Sequence, residues 1–258
     1  MNEIEVYKTI IDKLKIAKND IILVSSDLAK VFFQLKKNDV TFNPDFFLDY
    51  LMEFIGSDGT ILLPSFNWDF CKGKTFDYNN TPSMTGSLSK IALGRKEFKR
   101  TRNPIYSFAV YGKHAKSIIN LKHTSCFGDD SPFAFLDKNN GKNLFLGLDY
   151  KYGFTMDHYA EEKIGVSYRY HKPFKGKYID ENKNETNVEF SMYVRDLSLN
   201  VVTAISDNMD DILISNNCLV KDSIFGLNYS LISIKKTCQI MFEDIKNQGG
   251  LIYPKEHI

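Results

Sequence analysis

The sequence predicts the α/β class: a single domain over residues 1–258 in which helices flank a mixed sheet, with a β-hairpin excursion in the second half. Three observations carry that expectation. Short apolar runs alternate with helical spacings through the first half, the pattern of a sheet with a substantial parallel part. Beyond Arg169 the chain turns to two strand-like segments around a polar loop. No Pro/Gly-rich linker, low-complexity tract or internal repeat separates the halves.

Each element follows from its residues. Val6, Ile10 and Leu14, with Ile11 beside them, place one apolar stripe on a helix across residues 3–17. Ile21–Ser26 (IILVSS) is a buried strand that runs into a polar turn or a helix. Asn43-Pro44 opens a helix, with Pro44 at its first position and Phe47, Leu48, Leu51 and Ile55 on its apolar face. Gly56 and Gly59 close it, and GTILLPSF follows as a second strand. Thr81-Pro82-Ser83 leads into a helix that ends near Gly94. SFAVYG (Ser107 to Gly112) and NLFLG (Asn143 to Gly147) are the third and fourth strands. KGKYIDENKNETNVEFSMYVRD reads as a hairpin with its loop at Glu181 to Thr186, and a helix is expected from about Leu231 to Gln248.

Composition narrows the function classes. With 43% hydrophobic and 25% charged residues the chain reads as an ordinary soluble globular protein. No apolar run is long enough for a membrane span, and MNEIEVYKTIIDKLK lacks the basic-then-apolar form of a signal peptide. Cys71, Cys126, Cys218 and Cys238 form no CxxC pair, which points to reduced thiols in a cytoplasm and away from zinc. Cys71 and Cys126 read as spectator thiols rather than nucleophiles, and the three Asn-X-Ser/Thr sequons as chance. His114, His123, His171 and His257 lack metal-ligand spacing, so no metal is expected. Charge is nearly balanced, 33 basic against 32 acidic residues, which argues against a nucleic-acid partner. The densest basic run is RKEFKRTR, Arg95 to Arg102. There is no GxGxxG, GxxxxGKS, GxSxG or HExxH, which removes dinucleotide folds, P-loop NTPases, serine hydrolases of the elbow type and zincins.

What remains is TMDHYAEE, Thr155 to Glu162, just beyond the NLFLG strand. Thr155 reads as a helix N-cap whose hydroxyl accepts from the His158 N–H. His158 then lies in the first turn, and Glu161 or Glu162, three and four residues on, shares its face. An imidazole titrates near neutrality, and a carboxylate beside it fixes its tautomer and stabilises its charged form. The unit sits at the C-terminal end of a strand, where open α/β sheets bind ligands. A surface His/Glu pair is the plainer alternative. Ser25 and Ser26 end a strand in the same way and offer hydroxyls to a pyrophosphate or an amide-rich tail, or serve as an ordinary cap pair.

Six fragments in order, VSSDL, GTILLPSF, TPSMTGSL, RTRNPIYSFAVYG, FGDDSPFAFL and LFLGLDYKYGFTMDHYAEEKIGVSYR, resemble the aminoglycoside 3-N-acetyltransferase family, from about Ser25 to the C-terminus. The resemblance implies one α/β domain unlike the GNAT architecture, acyl-coenzyme A as co-substrate (acetyl-CoA or 3-hydroxybutyryl-CoA) and an amine on a sugar ring as acceptor. By position it implies His158 as the catalytic histidine, Glu161 as its acidic partner and Thr155 as the hydroxyl residue before it. Ser25 and Ser26 match the serines of an HSS segment that contacts coenzyme A, and Ser107 the serine of an HPxxS segment, so the resemblance implies all three as cofactor-binding. Val24 and Asn103 stand where those segments carry histidine, and LAKVFFQLKKND replaces a glycine-rich turn.

The expected chemistry is direct transfer in a ternary complex, with His158 as general base and Thr155 or a helix N–H meeting the oxyanion. Because the chain is slightly basic around Arg95 to Arg102, charge complementarity leans toward an anionic acceptor, a dTDP-linked amino-dideoxy sugar for surface-polysaccharide synthesis. The alternative is an aminoglycoside, and with it antibiotic resistance. Trp68, Tyr106, Tyr150 and Tyr152 are candidates to stack on a base or sugar, or ordinary core and rim aromatics. A scaffold that kept the fold is the non-enzyme alternative, against which Thr155, His158 and Glu161 argue. No membrane partner is expected, and a homodimer is left open.

Overall fold

The computed structural model describes residues 3–201, 204–247 and 250. The chain opens with α1 (Glu3–Lys13), β1 (Ile21–Ser26), α2 (Leu28–Lys37), α3 (Pro44–Ile55), β2 (Thr60–Pro64) and the short β3 (Phe76–Asp77). It continues through α4 (Ser87–Leu93), β4 (Lys99–Arg100), β5 (Phe108–Gly112), α5 (Ala115–Ile119), α6 (Pro132–Lys138) and β6 (Lys142–Leu146). Then come α7 (Met156–Ile164), the pair β7 (Arg169–Ile179) and β8 (Glu185–Arg195), α8 (Met209–Ser215), β9 (Leu219–Ile224), β10 (Leu227–Ser233) and α9 (Ile234–Lys246).

Seven strands form one sheet in the order β4-β5-β2-β1-β6-β10-β9. Its centre is parallel, β2 and β6 flanking β1, and its outer pairings are antiparallel. Strand side chains alternate between faces, and the core divides accordingly. Ile22, Val24, Ile61, Leu63, Leu144 and Leu146 pack with α1 to α4 in one cluster. Ile21, Leu23, Leu62 and Phe145 pack on the other side with residues of α6 to α9. The continuous apolar runs of β1, β2 and β6 are thus explained: both faces are covered. The hairpin β7–β8 lies outside this sheet, paired with β3.

Asn43 caps α3, its side chain accepting from the Asp45 and Phe46 N–H groups, with Pro44 in the first turn, as its sequence predicts. After β1 the chain enters α2, capped by Asp27, whose carboxylate accepts the Lys30 N–H at 3.2 Å. The helix expected from Leu231 to Gln248 is corrected. Leu231–Ser233 belong to β10, the helix starts at Ile234, and Gln248 lies outside the described residues. The reason is a β9–β10 hairpin turning at Phe225-Gly226, both with positive φ (51° and 72°), where a bulky first residue hides the usual turn signal.

The three parallel strands end at one edge of the sheet. Gly147, just past β6, takes φ +64°, and a Cβ there would lie 3.3 Å from the Asp27 carbonyl oxygen. That tight turn carries the chain over the edge and into α7.

Candidate active site

A cavity of about 370 Å³ opens at that edge. β1 contributes Val24, Ser25 and Ser26; the segment after β2 contributes Phe66 and Trp68; the segment after β6 contributes Leu148, Tyr152, Thr155 and His158. Tyr106 and the Thr85-Gly86 loop complete the wall. The structure therefore gathers Thr155, His158, Ser25 and Ser26 around one space, although 132 positions (158 − 26) separate Ser26 from His158 in the chain.

α7 positions His158. It closes at Gly165 in the left-handed region, φ +76°, whose N–H returns to the Glu161 carbonyl. Thr155 stands at the N-cap position, but its hydroxyl does not cap. The backbone there is helical, the hydroxyl donates weakly to the Gly153 carbonyl at 3.5 Å, and the His158 N–H goes to the Thr155 carbonyl and the Asp157 carboxylate. The expected cap bond is thus corrected. Asp157 fills the role from inside the helix, its Oδ1 2.6 Å from the His158 nitrogen.

Below the imidazole lies a buried charged group. His158 Nδ1 is 3.2 Å from Glu161 Oε2 and 3.2 Å from Asp157 Oδ1. The Glu161 side chain has 0% exposure and that of Arg169, at the start of β7, has 7%. Arg169 Nε meets Glu161 Oε2 at 2.8 Å, and Tyr168 donates to Glu161 Oε1 at 3.4 Å. Phe127 packs edge-on against the imidazole, ring centres 5.3 Å apart. Burial pushes the His158 pKa down, but Asp157 and Glu161 more than offset it, and the net direction is up. Burial raises the Asp157 carboxyl above its ordinary range, with the His158 charge opposing. Glu162, the other carboxylate near the histidine in sequence, points elsewhere and accepts from Ser125 Oγ at 2.8 Å.

Ser25 is nearly buried, and Asn143 Nδ2 reaches its hydroxyl at 3.3 Å. Ser107 is not in the cavity wall. It is fully buried, donating to the Ser65 carbonyl at 2.7 Å and accepting from Arg100 Nε at 2.9 Å. Ser107 therefore sits behind the wall rather than in it. Asn103, in the same segment, accepts the Ile105 and Tyr106 N–H groups at 2.9 and 2.8 Å and shapes the turn that presents Tyr106.

Of the four candidate stacking aromatics, Trp68, Tyr106 and Tyr152 line the cavity, Tyr152 with 87% exposure at the rim. Tyr150 faces the core and donates to Asp210 at 2.6 Å. Burial pushes the Cys71 thiol up to about 11 and the Cys126 thiol well above its ordinary value, so neither supplies a thiolate near neutrality. Among the described residues no cluster suits a metal ion, and no helix is long and apolar enough to cross a membrane.

The basic run Arg95 to Arg102 proves to be largely internal wiring. Arg95 pairs with Asp45, Asp49 and Glu97, and Arg102 with Glu181. Arg100 is buried against Ser107 and the Ser65 and Thr81 carbonyls. The cavity wall carries no lysine or arginine among the described residues. The charge argument for an anionic acceptor loses its basis there.

Two residues of the charged group were not marked by the sequence reading. Asp157 is adjacent to His158, a spacing that does not normally share a helix face. Arg169 lies on another element, with no local signal tying it to α7.

The chain is similar to known proteins of one family and one fold. Residues 34–244 match the family described as aminoglycoside 3-N-acetyltransferase. The SPbeta prophage-derived aminoglycoside N(3')-acetyltransferase-like protein YokD of Bacillus subtilis is 30% identical over 138 residues, 44% of this chain, and the match spans half of that relative's length. The fold is that of the YokD crystal structure (TM-score 0.73, 20% identity, 95% of this chain and 98% of that one). It is equally that of AAC-IIIb in a binary structure with CoASH (TM-score 0.78, 16% identity, 98% and 99%). Sisomicin-bound AAC-VIa superposes with TM-score 0.75 at 16% identity, over 96% of this chain and 98% of the other. With its family match running from α2 to α9, the chain belongs to the aminoglycoside 3-N-acetyltransferase family.

Proposed function

We propose that this chain, acting as one unit over its whole length, transfers an acyl group from coenzyme A to an amine of an aminoglycoside-type amino sugar. The observation that carries the reading is His158 in the cavity wall with Nδ1 held against buried Glu161. With Nδ1 occupied, Nε2 is the nitrogen open to the cavity for proton transfer. Family membership and structural relatives bound to CoASH, sisomicin or gentamicin support the two substrate classes. The described wall carries no lysine, arginine or carboxylate, so its charge does not separate the two acceptors, and the family and the aminoglycoside-bound relatives favour the aminoglycoside.

In the reaction the acceptor amine attacks the thioester carbonyl carbon. His158 Nε2 takes the amine proton as the C–N bond forms. The Thr155 hydroxyl, released from capping, meets the oxyanion together with the positive end of α7. The intermediate collapses with cleavage of the C–S bond, and the proton passes to the departing thiolate, giving amide and free coenzyme A. Ser25 and Ser26 bind the pantetheine end of the co-substrate. No covalent enzyme intermediate is needed, so the kinetics are those of a ternary complex.

The test is thiol release from acetyl-CoA and from 3-hydroxybutyryl-CoA, each with gentamicin or with a dTDP-amino-dideoxy sugar. Turnover with gentamicin and acetyl-CoA is expected. Turnover with the nucleotide sugar alone overturns the acceptor assignment, and failure to bind either thioester overturns the acyl-transfer reading.

A further inference from the structure

The carboxylates around His158 pose an electrostatic problem. Asp157 and Glu161 both reach Nδ1 at 3.2 Å. Two such charges alone would hold the imidazole protonated, and a protonated imidazole cannot accept the amine proton. Arg169 stands against them. Its Nε lies 2.8 Å from the same Glu161 oxygen that faces His158, and its Nη2 lies 3.3 Å from Nδ1 itself. The Tyr193 carbonyl accepts Arg169 Nη1 at 3.0 Å, and Tyr193 in turn donates to the Val166 carbonyl at 2.6 Å, so the guanidinium is anchored from the hairpin.

We infer that Arg169 is a positioning residue for the acyl transfer: it fixes the Glu161 carboxylate under His158 and, as a cation beside the two carboxylates, limits how tightly the imidazole holds its proton. The inference rests on His158 being the base. With Asp157 and Glu161 ionised, the group carries −2 + 1 = −1 with His158 neutral and zero with His158 protonated. Taking the amine proton therefore discharges the group, of which Glu161 and Arg169 are buried, and this favours the transition state over the resting state. Without Arg169 the group carries −2 with His158 neutral, and His158 holds its proton to higher pH. The other titratable groups facing this site are Tyr168 on Glu161, Tyr193 from β8, and Tyr106 and Cys126 behind Phe127. All are neutral over the working range, since burial raises each. Glu162 and His171 sit farther out, Glu162 held by Ser125.

The test is an NMR titration of the His158 ring in the ligand-free full chain, its signal assigned by its loss in His158→Ala. Arg169→Met is expected to raise the midpoint by about one pH unit or more, a roughly tenfold fall in neutral imidazole below it. Arg169→Lys keeps the charge and is expected to hold the midpoint within a few tenths of a unit while lowering kcat. Asp157→Asn is expected to move it downward. The acid limb of kcat/KM should shift with the same signs in each variant. A merely structural role would lower thermal stability and kcat at every pH without moving the titration. A folded Arg169→Met variant whose midpoint stays or falls overturns the inference. If that variant does not fold, an Asp157→Asn midpoint that fails to drop overturns it instead. Because the titration needs no turnover, it is independent of the acyl-transfer reading, which failure to bind either thioester would overturn, and of the base assignment, which undiminished turnover in His158→Ala would overturn.

Discussion

Thr155 lines the cavity and does not cap its own helix. Its hydroxyl makes no cap bond, so Thr155→Val should change stability by less than about 0.5 kcal/mol, where a true cap would cost about 1. If the hydroxyl meets the oxyanion, kcat should fall roughly 10²-fold with little change in KM. Calorimetry and steady-state kinetics on one variant read both outcomes, and a large loss of stability with normal kcat would reverse the assignment. His158→Ala should cost roughly 10²–10⁴ in kcat in a folded protein. The raised His158 pKa also sets opposite pH trends. The folded state holds the His158 proton more tightly than the unfolded chain, so this contribution to stability is full below the unfolded pKa and is lost as pH rises through the folded one. With His158 as the proposed base, activity should rise over that same window as the base becomes free. A thermal-unfolding series against pH should therefore slope downward where kcat/KM slopes upward, and the downward slope should shrink in His158→Ala. The octapeptide from Thr155 to Glu162 made His158 and Glu161 legible because a spacing of three brings side chains together on a helix. Arg169 was illegible because its contact with α7 exists only after β7 has turned back beneath it.

Among the elements, those written in local chemistry were readable. β1, β2 and β6 carry continuous apolar runs because both their faces are covered, and α3 carries Asn43-Pro44 at its start. β9 and β10 were missed because Phe225-Gly226 replaces a recognisable turn pair and because β10 runs straight into α9. α7 depends on its ends more than on amphipathicity, since its residues are divided between cavity, core and charged group. Gly165 is the sharpest point of that dependence, with φ +76° and no atom within 4 Å of a Cβ position. Gly165→Ala therefore meets no steric clash and pays only for the left-handed backbone, about 1 kcal/mol. Chemical denaturation should show that loss with an unchanged m value. A cost several times larger would mean that α7 itself repacks, and His158 with it.

At the scale of the whole molecule, net charge proved a poor guide to the cleft. The near balance of 33 basic and 32 acidic residues is real, but the arginines that made one stretch look like an anion site tie loops together instead. Arg100 is the central tie. It joins the end of β2 through the Ser65 carbonyl, the Thr81 loop, and β5 through Ser107, and so holds the cavity wall to the strands behind it. A sequence match can locate Ser107 but cannot show which way its hydroxyl faces, and the two possible directions predict different failures. If Ser107 contacted the co-substrate, Ser107→Ala would raise KM for acyl-CoA and leave stability alone. The observed bonds predict the reverse. The variant leaves Arg100 Nε without its buried acceptor and removes a donor to the Ser65 carbonyl, at a cost of about 1–3 kcal/mol. KM for acetyl-CoA should stay within about threefold, because 1.4 kcal/mol of lost binding would be needed for a tenfold rise. Unfolding curves and acetyl-CoA saturation curves on this one variant decide between a wall that binds and a frame that holds the wall.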